Sequence, residues 1–176
     1  MRASVVFESL YGNTASVARA IAASLSERGM AAEAMPVDQL DPASTDGIEL
    51  LIVGGPTHVH GMSRASTRRA GVNDEKGPHT FAEPTVETGV REWLERLPDG
   101  AGRRAAAFDT RIDKAAWLTG SAAKGIAKRL EANGFRLALD PESFFVTTEN
   151  ALADGELEHA ARWGATLANE VATATG

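Results

Sequence analysis

The chain contains no cysteine, which excludes disulfides, thiolate metal ligands and cysteine nucleophiles. Tyrosine occurs once, at Tyr11, and aromatic residues make up 6% of the total, so a site that needs aromatic walls has few candidates. No apolar run approaches the roughly 20 residues of a membrane-spanning helix. The N-terminal stretch MRASVVFES passes directly into core-like residues, so no signal peptide is expected. A cytoplasmic protein without membrane insertion follows as the expectation. Basic residues are in deficit, 18 Lys and Arg against 24 Asp and Glu. An acidic surface opposes nucleic acid and anionic membranes, and it suits either plain solubility or docking on a basic protein partner.

The remainder is ordinary globular sequence of 176 residues, 43% hydrophobic, enough for one domain over 1–176 with a sizeable core. Apolar runs alternate with helical patterns. SVVF (4–7) is apolar on successive residues, as in a strand buried on both faces. Val17, Ile21 and Leu25 then form one helical stripe, with Thr14 as candidate cap and Gly29 as candidate stop. AAEAMPV is a weaker strand, and Pro36 assigns it to an edge or a strand end. ELLIVGG (49–55) is the strongest strand. A polar stretch follows, an expected loop insertion at about 58–86. Val90, Trp93, Leu94 and Leu97 mark a helix, AAAF (105–108) a small-residue strand, and Ile126 and Leu130 a helix closed by Asn133-Gly134. FRLAL and SFFV flank Pro141 as two parts of a last strand, before a final amphipathic helix carrying Leu157, Ala160, Leu167 and Val171. This alternation predicts an α/β doubly wound sandwich of about five parallel strands with helices on both faces. Ligands in such sheets bind beyond the carboxyl ends of the strands. The informative loops are therefore those after SVVF, LLIV, AAAF and SFFV.

The first of these, SLYGNT (9–14), holds neither lysine nor arginine. It leads from a strand into a helix, where free main-chain N–H groups and the helix dipole stabilise an anion without a cationic side chain. Gly12 permits close approach of the backbone, Ser9 and Thr14 offer hydroxyls, and Asn13 offers an amide. A plain strand-to-helix turn is the competing reading. The Gly-Lys-Ser/Thr ending of a Walker loop is absent, and one glycine does not make a GxGxxG loop. The run VVFESLYGNTASVARAI resembles the flavodoxin signature. That resemblance implies an FMN cofactor, a five-stranded sheet of order 2-1-3-4-5, and a phosphate surrounded by Ser9, Leu10, Tyr11, Gly12, Asn13 and Thr14. Tyr11 departs from the threonine frequent in flavodoxins, although a phenol still donates a hydrogen bond.

GGPTHVHG (54–61) is similar to the flavodoxin Gly-x-Pro-Thr-aromatic segment. The resemblance implies that Pro56, Thr57, His58, Val59 and Gly61 line one side of the flavin ring. A flat ring needs a flat or apolar neighbour and polar atoms at its edge. His58 and His60 form an HxH pair, but no carboxylate cluster completes a metal site, and two loop histidines are the simpler reading. Arg64, Arg68, Arg69, Lys76 and His79 follow in the insertion. They would meet a substrate phosphate, act as a lid, or belong to a solvated loop.

The opposite wall is expected after AAAF, from Phe108, Asp109, Thr110, Arg111 and Trp117. Backbone atoms or Asp109 would accept from the ring, and Trp117 would either supply the missing aromatic or pack the loop. A response-regulator receiver shares the fold, but Glu8 stands alone after the first strand and GGPTH supplies no acceptor Asp. The resemblance thus implies an FMN redox protein with no catalytic residue of its own. Its electrons would pass to or from a redox partner protein. The alternatives are an FMN-dependent NAD(P)H:quinone-type oxidoreductase, with a small-molecule electron acceptor, and a flavin-free binding module. Acidic groups near the ring would disfavour its reduced anion and lower the potential.

Overall fold

The computed structural model describes residues 1–58, 61–72, 88–114 and 120–173. Strand β1 (Arg2–Phe7) lies between β2 (Ala31–Pro36) and β3 (Leu50–His58), parallel to both, and β3 lies parallel to β5 (Arg104–Ile112). The apolar runs are continuous because each strand serves two cores. Val5 and Phe7 of β1, Leu50 and Ile52 of β3, and Ala106 and Phe108 of β5 face one cluster with Val17, Ile21, Trp163 and Leu167. Val6, Leu51, Val53, Ala105 and Ala107 face another with Trp93, Leu94, Ile126 and Leu130. Each fully buried Leu or Ile contributes about 1.5–3 kcal/mol.

Helices α1 (Asn13–Glu27) and α5 (Glu156–Thr173) cover the first face. Helices α3 (Val90–Glu95) and α4 (Ala122–Ala132) cover the second. The doubly wound α/β class is as expected, but the sheet has seven strands rather than five. Two features account for the extra strands. The last strand is divided around Pro141 into β6 (Arg136–Leu137) and β7 (Glu142–Val146), both parallel to β5. A short β4 (Gly61–Met62) also folds back antiparallel on β3. The main order β2-β1-β3-β5-β6 is the expected 2-1-3-4-5 once β4 is set aside.

Between β2 and β3 the chain makes only a 3-10 turn, Pro42–Ser44, in place of a full helix. Within the segment expected as a loop insertion, the described residues form β4 and helix α2 (Ala65–Val72). Lys76 and His79 lie outside the described residues. Helix α1 ends as expected at Gly29, which adopts φ 83° while the Met30 N–H donates to Leu25 O. Its start differs from expectation. Gly12, not Thr14, is the N-cap, at φ 88°, because the turn needs a left-handed residue there and Thr14 already lies inside the helix.

Candidate functional site

The first loop leaves β1 at Phe7 and enters α1 at Asn13. The Ser9 hydroxyl oxygen accepts from the Gly12 N–H at 3.1 Å and the Ala15 N–H at 3.2 Å. The N–H groups of Leu10, Asn13 and Thr14 take no protein acceptor among the described residues. An oxygen atom thus draws two of the loop's amides together, while three further donors of the same loop stay without a protein acceptor among the described residues. No cationic side chain belongs to the loop. Two of the polar side chains serve the frame instead. Thr14 Oγ1 lies 2.8 Å from Thr110 Oγ1, joining the loop to the end of β5. Asn13 Nδ2 donates to the Asn150 carbonyl at 2.8 Å, tying the loop to the segment after β7.

The second wall is a hairpin. Thr57 pairs with Met62 and His58 with Gly61. Thr57 Oγ1 donates to Asp109 Oδ2 at 2.9 Å and accepts from the Ala122 N–H at 2.8 Å. Asp109 Oδ2 also accepts from Ser121 Oγ at 2.8 Å and the Ala123 N–H at 2.9 Å. This carboxylate therefore caps α4 and fastens it to the hairpin. Among the described residues, its other oxygen, Oδ1, and His58 Nε2 are buried without a hydrogen-bond partner. A third such atom, Ser4 Oγ, lies within β1, away from the loops.

A buried charge cluster stands behind the hairpin. Arg68 of α2 is 3% exposed. Its Nη1 donates to Ser63 Oγ at 2.8 Å and its Nη2 to Glu92 Oε2 at 3.0 Å. Glu8, the residue just before the first loop, is also buried and accepts the Val90 N–H at 2.9 Å. Gly89 lies between the two charges: a Cβ there would fall on both the Arg68 guanidinium and Glu8 Oε2. Burial lowers the His58 pKa below its usual value; Glu8 opposes that shift and Arg68 adds to it. His58 is therefore neutral at neutral pH. Burial alone would raise the Glu92 carboxyl, but hydrogen bonds from its own N–H, Arg68 and the Gly89 N–H outweigh it and hold the group low.

The structure brings Ser9, Leu10, Tyr11, Gly12, Asn13 and Thr14 to one strand end, beside Pro56, Thr57 and His58 at the end of β3, Gly61 of β4, and Thr110 and Arg111 toward the end of β5. It does not bring Phe108 there. That ring is fully buried, packed edge-on against Phe144 and Trp163, because strand alternation turns it into the core. Asp109 is closed from solvent. Arg111 stacks on Phe145 at 4.9 Å and bonds Ser143 Oγ and Lys114 O. Val59, His60 and Trp117 lie outside the described residues. Sequence reasoning gave no site role to Glu8, Ser121 or Asn150, and it considered Arg68 only as a phosphate receiver, a lid or a solvated loop residue, not as part of a buried cluster. Only Asn150, at φ 60°, carried a local signal, since asparagine tolerates that conformation.

The Flavodoxin family model matches residues 5–108, more than half of the chain. No curated protein matches. Among solved structures, a flavodoxin from the domain Archaea shares 20% identity and a TM-score of 0.67, covering 98% of this chain and 99% of its own. Oxidised Flavodoxin 1 from Bacillus cereus shares 17% identity at TM-score 0.67, covering 96% and 98%. Rubredoxin oxygen:oxidoreductase from Desulfovibrio gigas shares 17% identity at TM-score 0.63, covering 99% of this chain but 37% of that one. At these identities the structural likeness establishes the fold alone. Among the described residues, no helix is long and apolar enough to cross a membrane.

Proposed function

The chain belongs to the flavodoxin family, an FMN-binding redox family, and on that premise we propose that it carries electrons to or from a protein partner. Its cofactor is FMN. The residues fit that group. The observation that carries the reading is that the Leu10, Asn13 and Thr14 amides take no protein acceptor among the described residues, in the same loop whose Gly12 and Ala15 amides converge on the oxygen of Ser9. They suit the phosphate of FMN, whose charge the α1 dipole also stabilises. The unpartnered His58 Nε2 suits a polar atom at the ring's edge.

Bound FMN supplies one- and two-electron chemistry. The chain's own groups do the rest. The Ser9–Thr14 loop anchors the phosphate end. Pro56, Thr57, His58 and Gly61 form one wall, and Thr110 and Arg111 form the edge of the other. Asp109 supports both walls from beneath rather than meeting the ring. His58, held neutral, adds no charge beside the ring.

The second reading is an FMN-dependent NAD(P)H:quinone-type reductase, with the arginines of the insertion receiving a nucleotide phosphate. Arg68 is unsuited to that task, since it is buried on Ser63 and Glu92. Steady-state NAD(P)H oxidation by the FMN-loaded protein separates the two. A carrier shows no turnover without a partner protein, whereas sustained turnover with a quinone alone establishes the enzyme.

A further inference from the structure

The charge cluster behind the hairpin is not needed to hold a phosphate, and its members come from four separate segments. Arg68 lies in α2, Glu92 in α3, Ser63 between β4 and α2, and Glu8 just after β1. Burying a guanidinium costs several kcal/mol unless it is paired and hydrogen-bonded. Here the pairing runs in two directions. Toward the site, Nη1 holds Ser63 Oγ, immediately after the hairpin that carries Thr57 and His58. Toward the body, Nη2 holds Glu92 Oε2, which also accepts the Gly89 N–H at 3.0 Å. Arg91 reinforces the same segment, donating to the Met62 and Ser63 carbonyls at 3.0 and 3.2 Å.

The absence of a side chain at Gly89 leaves room there for both the Arg68 guanidinium and the Glu8 carboxylate, since a Cβ would fall on each of them. Glu8 directly precedes the phosphate loop, where an uncompensated buried carboxylate would oppose a bound dianion. Among the described residues, the charged groups acting on His58 are these same two, Glu8 just after β1 and Arg68 from α2.

We propose that Arg68 is a positioning residue of the flavin site: clamped between Ser63 and Glu92 above Gly89, it fixes the wall that carries Thr57 and His58 and neutralises Glu8 at the foot of the phosphate loop. This rests on the FMN reading above. Arg68 touches no reacting atom. It acts through the hairpin and through the charge it cancels. Lysine would supply the charge but not a planar fork able to span two acceptors.

The test compares the full-length chain with Arg68→Met, Arg68→Met/Glu8→Gln and Arg68→Lys. Two readouts are taken: titration of the His58 ring by NMR without added flavin, and FMN affinity by calorimetry at neutral pH. In Arg68→Met the His58 titration moves up by about one pH unit, because Glu8 is no longer opposed. FMN affinity falls about tenfold through the loosened wall. Adding Glu8→Gln returns the His58 titration toward wild type and leaves FMN binding weak. Arg68→Lys keeps the wild-type His58 titration with weakened FMN binding, and it serves if Arg68→Met does not fold. Unchanged His58 titration in Arg68→Met, or unchanged FMN affinity in Arg68→Lys, overturns the proposal. Failure of the wild-type chain to bind FMN sinks the cofactor reading instead, and the flavin-free titration still tests Arg68.

Discussion

Thr57 Oγ1 donates to Asp109 Oδ2 across 2.9 Å, joining the end of β3 to the second half of β5 beneath the two loops that face each other at the site. The same hydroxyl accepts the first N–H of α4. One threonine thus sets the separation of both walls and caps a helix. Thr57→Val preserves the shape but strands the Ala122 N–H and removes one of the three donors to Asp109. The expected cost is about 1–3 kcal/mol, read as a lower urea midpoint with unchanged slope.

Gly54 is fixed by Phe108. The two residues are register partners on β3 and β5, and a Cβ on Gly54 would enter the Phe108 ring. Gly54→Ala should therefore destabilise by about 1–3 kcal/mol through overpacking, measured by thermal unfolding. A paired Phe108→Leu substitution should recover part of the loss.

Gly12 at φ 88° stands at the mouth of α1. A β-branched side chain is strained in that region by about 1–2 kcal/mol and crowds the approach to the loop's amides. Gly12→Val should lower both the melting temperature and FMN affinity, the latter followed by calorimetry.

The pH dependence of stability follows from two groups. Burial lowers the His58 pKa below 6.5, so above pH 6.5 its contribution is fully present. As pH falls below that value the unfolded chain takes up the proton first, and stability declines toward the lowered folded pKa. Glu92 is held below 4.5; its contribution is present above 4.5 and is lost as pH falls through its lowered value. Denaturant midpoints across this range should fall in two steps. His58→Gln removes the upper step and Glu92→Gln the lower.

The strand-to-helix loop proposed to hold the phosphate was legible in the sequence because its groups are consecutive: a strand end, a glycine, and hydroxyl and amide residues at a helix mouth. The division of the last strand was legible in Pro141, and the stop of α1 in Gly29. Helix α2 was not, because ASTRRAGV carries no apolar stripe. Among its described side chains the buried one is an arginine, whose partner Glu92 lies far away in sequence. Phe108 was placed at the site by its position at a strand end, whereas side-chain alternation decides which face it serves. Thr14 was expected to cap α1, but its hydroxyl is engaged by Thr110, a partner supplied only by the folded sheet.

The central claim is that uncharged main-chain donors between Leu10 and Thr14 hold the FMN phosphate. Parallel titrations of the chain with FMN and with riboflavin, which lacks the phosphate, test it most directly through quenching of flavin fluorescence. Binding of FMN at least about tenfold tighter than riboflavin is the predicted result. Equal affinities, or no binding of either, would contradict it.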